Sequence, residues 1–180
     1  YGLQPRGLDG EAVPHSQVEA AAQCYLAALE QECPEGPVHL VGHSFGGWVA
    51  LEMALRLQAM GREVGSLTVI DSESPGRAGK AYTSTAALLR LIEAMQLAAG
   101  KSLGIDPVDF AGRDEVAQRQ ALHGGMVSVG LLPARAALEA MDGPARTYAA
   151  ALRTVYQPQG RYDGVVRLVL AQDPALDAAG

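Results

Sequence analysis

The stretch Val38-His39-Leu40-Val41-Gly42-His43-Ser44-Phe45-Gly46-Gly47-Trp48 combines a short apolar run, one serine and the beginning of a helix. It contains the pattern Gly-x-Ser-x-Gly, which between a strand and a helix forms a nucleophile elbow and exposes the serine above a sheet. On so sharp a turn, side chains two residues before and after the serine are expected to collide with the neighbouring strand or helix. The stretch therefore predicts acyl transfer at Ser44, with the backbone N–H of Phe45 as an oxyanion donor.

The residues on both sides of this pattern supply the context that it requires. Residues 38–41 form an apolar, β-branched run between Pro37 and Gly42, which is typical of a buried strand. Residues 48–60 contain neither proline nor glycine and are followed by Gly61, which predicts a helix with a glycine at its C-terminal end. Strand, turn and helix in this order favour a true elbow over an ordinary glycine-rich turn.

Composition narrows the class of protein. The 180 residues suggest a single domain, and 48% hydrophobic with 19% charged residues is ordinary for a soluble globular protein. A net charge of −6 without a basic stripe argues against nucleic-acid binding. We find no apolar run of membrane-spanning length and no signal segment, and expect a cytoplasmic location. Cys24 and Cys33 lack the spacing of a metal site and are interpreted as a buried thiol and a helix-end thiol.

Helices and strands alternate around the elbow. Ser16 and Glu19 have the spacing of a capping box, which predicts the start of a helix that ends before Pro34. Residues 67–70 form a second apolar strand, and residues 164–170 return to a strand pattern near the end of the chain. This alternation predicts an α/β sheet with parallel neighbours.

A long helical region separates the second and the last strand. Helices are predicted around residues 86–99, 114–123, 133–141 and 145–155, with no convincing strand between them. We interpret an insertion of this length as a lid over the active site. A small helical domain without a gating role is the alternative.

A serine nucleophile needs a histidine base and a carboxylate that orients the base. Asp71 is the favoured acid, because it ends the strand that follows the elbow unit and the carboxyl ends of parallel strands share one edge of a sheet. Asp173, at the end of the last strand, is the alternative.

The base is harder to assign. His15 and His39 precede the serine, His43 is its neighbour on the turn, and His123 lies in the helical region, so no histidine follows the last strand. The chain also opens on a loop, without a preceding strand to supply a second oxyanion donor. We therefore interpret residues 1–180 as the interior of a larger catalytic domain, truncated at both ends.

Three stretches together resemble the thioesterase domains that end nonribosomal peptide synthetases, and related domains of polyketide synthases. They are YGLQPRGLDG at residues 1–10, GPVHLVGHSFGG at residues 36–47 and LQAMGREV at residues 57–64. The resemblance covers essentially the whole chain and is weakest in the helical region. There, Gly130-Leu131-Leu132-Pro133, Tyr156-Gln157-Pro158 and Tyr162-Asp163-Gly164 look like lid and lid-exit segments.

The resemblance implies an α/β-hydrolase fold with a mostly parallel sheet and a helical lid insertion. It implies one thioesterase domain over residues 1–180, with a core at 1–80 and 160–180 and a lid at about 83–156. Ser44 matches the family's nucleophile and Asp71 matches its acid, whereas we interpret His43 as a residue that lines the substrate pocket. The family's first strand and the segment with its catalytic histidine have no counterpart here.

The implied reaction begins with a peptidyl or polyketidyl chain on the phosphopantetheine thiol of a partner acyl or peptidyl carrier protein. Ser44 attacks the thioester, and water or a nucleophile within the acyl chain then releases an acid or a macrocycle. The domain itself is expected to bind no cofactor and no metal. One alternative is a stand-alone type II editing thioesterase, in which Asp173 would matter more. The other is a non-catalytic α/β-hydrolase-like binding module.

Overall fold

A computed structural model describes residues 1–76 and 82–170. The elements are, in chain order, α1 (Val18–Glu32), β1 (Val38–His43), α2 (Phe45–Ala59), β2 (Val64–Ile70), α3 (Ser84–Ala99), α4 (Pro107–Ala111), α5 (Glu115–Ser128), a 3₁₀ turn (Leu138–Met141), α6 (Asp142–Arg153) and β3 (Val166–Val169). Asp173, the alternative acid, lies outside the described residues. None of the described helices is long and apolar enough to cross a membrane.

The chain divides into two compact units, of which one comprises Ser16–Gly79 and Thr154–Gly180. This unit contains a sheet with the strand order β1-β2-β3, in which both pairs are parallel, as the alternation of helices and strands predicted. The core of the unit is formed mainly by apolar residues of α1, α2 and the first two strands: Val18, Ala21, Ala22, Val38, Leu40, Val49, Ala50, Met53, Ala54, Leu57, Leu67 and Tyr156.

Only one face of β1 is covered by this core. Val38, Leu40 and Gly42 are buried, whereas the alternate residues are exposed, and Val41 keeps 67% of its surface accessible. The predicted strand is present, and among the described residues its burial is confined to one face. An apolar run predicts a strand without showing which of its faces is covered.

The second unit comprises Tyr1–His15 and Lys80–Arg153, and it has a core of its own. That core contains Leu91, Ile92, Leu103, Phe110, Leu122, Met126 and Met141. Arg146 of α6 holds the N-terminal segment, because its guanidinium donates hydrogen bonds to Gly10 O at 2.9 Å and to Ala12 O at 3.0 Å. The role of these helices as a lid stays a prediction.

Two predictions about helices were wrong, and one short helix was not predicted. α1 has Gln17 as its N-cap and no side-chain cap, so the Ser16–Glu19 capping box does not form. The helix expected at residues 133–141 is only a 3₁₀ turn at its end, because a turn closed by Ala136 N–H and Pro133 O comes first. α4 was missed, although an Asp106 cap followed by proline is a recognised start signal.

The prediction for one cysteine was also wrong. Cys24 is exposed and Cys33 is half-buried, and both are free thiols. α1 buries Val18, Ala21 and Ala22, so Cys24 falls on the opposite side of the helix.

Candidate active site

Ser44 lies between β1 and α2 in a strained backbone conformation. Its φ is 52° and its ψ is −122°, and a positive φ is unfavourable for a residue with a Cβ. The residue is exposed, its N–H donates to Ile70 O at 2.8 Å, and its carbonyl accepts from Gly47 N–H at 2.9 Å. The strand, strained turn and helix predicted from the Gly-x-Ser-x-Gly pattern are all present.

Two glycines make room for this turn, but only one of them is a glycine of the pattern. A Cβ on Gly42 would overlap the carbonyl of Gly46 and lie 2.7 Å from Gly47 N. A Cβ on Gly47 would overlap Ser72 Oγ and lie 2.8 Å from Val69 Cγ1. A Cβ on Gly46 would meet no atom within 4 Å. The prediction of a collision was therefore right for Gly42 and wrong for Gly46, because α2 turns Gly47 toward the segment after β2.

Phe45, the predicted oxyanion donor, is the first residue of α2. The first four N–H groups of a helix have no intrahelical acceptor, and the positive end of the helix dipole is located there. The ring of Phe45 packs edge-on against that of Trp48, with 6.5 Å between the ring centroids. An N–H group at this position, next to Ser44, is suited to a developing negative charge, and its catalytic role stays a prediction.

Asp71 leaves the sheet beside Ser44. β1 and β2 are paired so that His43 is opposite Ile70, and the next residue of each strand is therefore Ser44 and Asp71. Asp71 has a φ of 45°, is exposed, and donates its N–H to Val169 O of β3 at 2.9 Å. The structure thus brings the predicted nucleophile and the predicted acid to one edge of the sheet. The catalytic function of Asp71 itself stays a prediction.

Two of the four histidines have other hydrogen-bond partners. His39 Nδ1 lies 2.9 Å from Ser66 Oγ on β2. Within the helical unit, His123 Nε2 donates to Ala136 O at 3.0 Å. His43 is exposed at the end of β1, and its role in lining a pocket stays a prediction.

His15 belongs to the N-terminal segment of the helical unit. Its Nε2 is buried and has no hydrogen-bond partner among the described residues. Burial and the positive charge of Arg6 lower the pKa of His15. The folded chain therefore favours the neutral imidazole at this position.

Two hydrogen bonds hold the segment that follows Asp71. Trp48 Nε1 donates to Glu73 O at 2.6 Å, and Gly76 N–H donates to Tyr156 O at 2.9 Å. The rings of Trp48 and Tyr156 also contact each other, with 6.2 Å between their centroids. Sequence reasoning missed this support, because Tyr156 is distant in the chain from the residues that it contacts.

Glu52 and Tyr156 form a buried polar pair behind the elbow helix. The Tyr156 O–H donates to Glu52 Oε2 at 2.9 Å, and Arg56 Nε donates to Glu52 Oε1 at 2.7 Å. Burial and the hydrogen bond to Glu52 raise the pKa of Tyr156 well above its usual range. Glu52 and Arg56 thus form an i,i+4 ion pair on α2. A buried donor could have been expected, since a carboxylate in a mostly apolar helix needs one, but the sequence does not indicate that Tyr156 supplies it.

Among residues 1–76 and 82–170, no three side chains of histidine, cysteine, aspartate or glutamate converge as a possible metal site. The backbone polar groups of Ser44 form hydrogen bonds with Ile70 O, Gly47 N–H and Ser72 Oγ, whereas the residue itself is exposed.

Known proteins resemble this chain in sequence. A family model for the thioesterase domain matches residues 1–105. Malpibaldin synthetase of Mortierella alpina is 43% identical over 72 residues, which are 40% of this chain and 1% of the synthetase. Chondramide synthase cmdD of Chondromyces crocatus is 28% identical over 148 residues, which are 79% of this chain and 4% of the synthase. The chain thus spans a very small part of these curated relatives.

Solved structures of other proteins resemble this chain in fold. The four-domain nonribosomal peptide synthetase AB3403, bound to AMP and glycine, superposes with a TM-score of 0.84 at 24% identity, over 95% of this chain and 13% of that one. The type II thioesterase BorB of the borrelidin cluster gives a TM-score of 0.62 at 19% identity, over 99% of this chain and 65% of that one. The predicted α/β-hydrolase fold is confirmed.

Proposed function

Because the chain belongs to the thioesterase domain family, we propose that it cleaves a thioester by transfer of the acyl group to Ser44. The geometry of Ser44 supports this proposal most directly, since an exposed serine in a strained strand-to-helix turn is the arrangement that acyl transfer requires. In the first step the Ser44 oxygen bonds to the thioester carbonyl carbon and the thiol leaves. In the second step water or a nucleophile within the acyl chain displaces Ser44 from the acyl group.

The neighbouring residues have distinct roles in this proposal. The Phe45 N–H stabilises the oxyanion of each tetrahedral intermediate. Asp71 orients a histidine that accepts the proton of Ser44 and gives it to the leaving thiol. In the second step the histidine takes a proton from the attacking nucleophile and gives it to the Ser44 oxygen as the acyl group leaves. His39 and His123 have other hydrogen-bond partners, so neither is assigned to this role. His43, exposed beside Ser44, lines the acyl pocket.

The proposed substrate is a peptidyl or polyketidyl chain bound through phosphopantetheine to a carrier protein. The relatives support this class, because malpibaldin synthetase and chondramide synthase cmdD are joined by the polyketide synthase PksR of Bacillus subtilis, which is 38% identical over 72 residues. The acyl group then leaves by hydrolysis or by macrocyclisation. A lid that excludes water would favour cyclisation.

A fluorophosphonate probe tests the nucleophile. We expect the full-length protein to be labelled covalently at Ser44, and Ser44→Ala to remain unlabelled. Ser74→Ala, which removes an exposed hydroxyl from the loop after Asp71, is the matched control and is expected to label normally. An unlabelled wild-type protein would contradict the proposal and favour the non-catalytic binding module.

Two separate substitutions test the acid. We expect Asp71→Asn to lower kcat by about 10⁴-fold, the loss typical when the orienting carboxylate of a serine triad is neutralised. Asp173→Asn is expected to keep wild-type turnover of a carrier-bound acyl thioester. The reverse result would reject Asp71 as the acid and would favour the type II editing thioesterase.

A further inference from the structure

Ser72 follows the proposed acid directly, and its hydroxyl lies against the backbone of the proposed nucleophile. Ser72 Oγ donates to Ser44 O at 2.6 Å and also lies 3.3 Å from Ile70 O. The Ser44 N–H donates to Ile70 O at 2.8 Å. The residues on either side of Asp71 therefore bind both backbone polar groups of Ser44.

These contacts act on the strained part of the elbow. A residue keeps an unfavourable backbone conformation only where its surroundings hold it there. The bond from Ser44 N–H to Ile70 O restrains rotation about φ, and the bond from Ser72 Oγ to Ser44 O restrains rotation about ψ. Asp71, with its own positive φ of 45°, forms the turn between the two anchoring residues.

Gly47 provides the space for this contact. A Cβ at residue 47 would overlap Ser72 Oγ and lie 3.0 Å from Ser72 Cβ. The Gly47 N–H is the second donor to Ser44 O, at 2.9 Å. The carbonyl oxygen of Ser44 thus has donors for both lone pairs, one from α2 and one from the segment that carries the proposed acid.

We propose that Ser72 is a positioning residue for acyl transfer at Ser44, because its hydroxyl couples the backbone of the nucleophile to the turn that carries Asp71. This inference rests on the proposed function of Ser44 and Asp71. Ser72 touches no reacting atom in this role. It keeps the serine oxygen and the acid in a fixed relative position, so its loss slows the chemical steps more than substrate binding.

Substitutions of Ser72 in the full-length protein test this role. The readouts are the rate constant for fluorophosphonate labelling of Ser44, and kcat and KM for an acyl thioester of N-acetylcysteamine. We expect Ser72→Ala to lower the labelling rate constant and kcat about 10-fold, less than the 100-fold that a misplacement of about 1 Å can cost. KM should stay within about twofold of the wild-type value, since the acyl pocket is unchanged.

Two further variants separate positioning from a purely structural effect. Ser72→Thr keeps the hydroxyl and is expected to recover the labelling rate constant to within about threefold. Ser72→Cys fills the space with a weak donor and is expected to react more slowly than the threonine variant. Because the rate constant is measured per labelled molecule, a loss of folded protein does not change it. Ser74→Ala is the matched control and should react as the wild type does.

Each outcome bears on the inference. Labelling of Ser72→Ala at the wild-type rate would overturn it and leave the proposed function intact. The inference would also be overturned if threonine and alanine at this position slowed labelling equally, or if only KM changed. Absence of labelling at Ser44 in the wild type would overturn both the proposed function and the inference.

Discussion

Tyr156 donates its phenolic O–H to Glu52 Oε2 at 2.9 Å, across 104 positions of sequence. Tyr156 is 1% exposed and Glu52 is 8% exposed, so the pair is closed to solvent. A buried carboxylate is stable only when hydrogen-bond donors replace the water that it has lost. Arg56 supplies the second donor, at 2.7 Å. The pair therefore fixes the elbow helix to the chain that leads into β3.

Removal of the phenolic donor should destabilise the fold. We expect Tyr156→Phe to lower the free energy of unfolding by about 1.5–3 kcal/mol, the range for a hydrogen bond to a charged group. Denaturant titration measures the loss. Tyr148→Phe is the matched control, since its hydroxyl makes only a long bond of 3.4 Å to Arg90 O, and it should stay within about 0.5 kcal/mol of the wild type. Equal losses in the two variants would contradict the importance of the Glu52 contact.

The same tyrosine predicts a loss of stability in alkaline solution. The pKa of Tyr156 is raised by burial and by Glu52, whereas an unfolded tyrosine ionises near its ordinary pKa of about 10. The stabilisation is therefore complete below about pH 10 and is lost as the pH rises above it. We expect the stability difference between wild type and Tyr156→Phe to narrow between pH 9 and pH 11, measured by urea unfolding. A constant difference over this range would contradict the prediction.

Because of His15, the folded protein is expected to lose stability in acid. Burial and Arg6 lower its pKa in the folded chain, so protons bind more strongly to the unfolded chain. The stability that comes from the neutral imidazole is thus present above the ordinary histidine pKa, about 6.5, and is lost as the pH falls below it. We expect wild type to lose more stability than His15→Gln between pH 7.5 and 5.5. Equal losses in the two proteins would contradict the prediction.

The hydrogen bonds of Arg146 are expected to keep the N-terminal segment structurally ordered. Its two hydrogen bonds reach Gly10 O and Ala12 O, and a Cβ on Gly143 of the same helix would overlap Leu8 O. We expect Arg146→Ala to increase amide hydrogen exchange at least 10-fold over residues 8–12, since local opening rates follow the contacts that are lost. Arg135→Ala, at an exposed arginine in the same unit, is the control. Unchanged exchange in the Arg146 variant would contradict the role of these bonds.

Local sequence signals predicted the elbow well. Four features lie within about 25 consecutive residues: an apolar run, the Gly-x-Ser-x-Gly pattern, a helix without breakers and a terminal glycine. Each is a property of neighbouring residues, and the backbone conformation of Ser44 follows from them. Asp71 could be placed for a similar reason, because parallel strands end at one edge of the sheet.

Long-range contacts could not be predicted in this way. The partner of Glu52 lies in a loop far along the chain, and a buried carboxylate indicates that donors are needed without indicating which residue supplies them. Ser72 gave no periodic signal, since its importance comes from the turn at Asp71 that directs its hydroxyl toward Ser44. The capping box failed for another reason, because Gln17 rather than Ser16 is the N-cap of α1.

Substitution by alanine is expected to have opposite effects on stability at the two glycines of the Gly-x-Ser-x-Gly pattern. A Cβ on Gly42 would overlap the backbone carbonyl of Gly46, which cannot rotate away, so we expect Gly42→Ala to cost about 3 kcal/mol or more. A Cβ on Gly46 meets no atom within 4 Å in the first turn of α2, and alanine restricts the unfolded chain. We expect Gly46→Ala to be neutral or to stabilise by about 0.5–1 kcal/mol. Urea unfolding of both variants decides the matter, and a large loss for Gly46→Ala would show that the pattern, rather than the space around each Cα, determines tolerance.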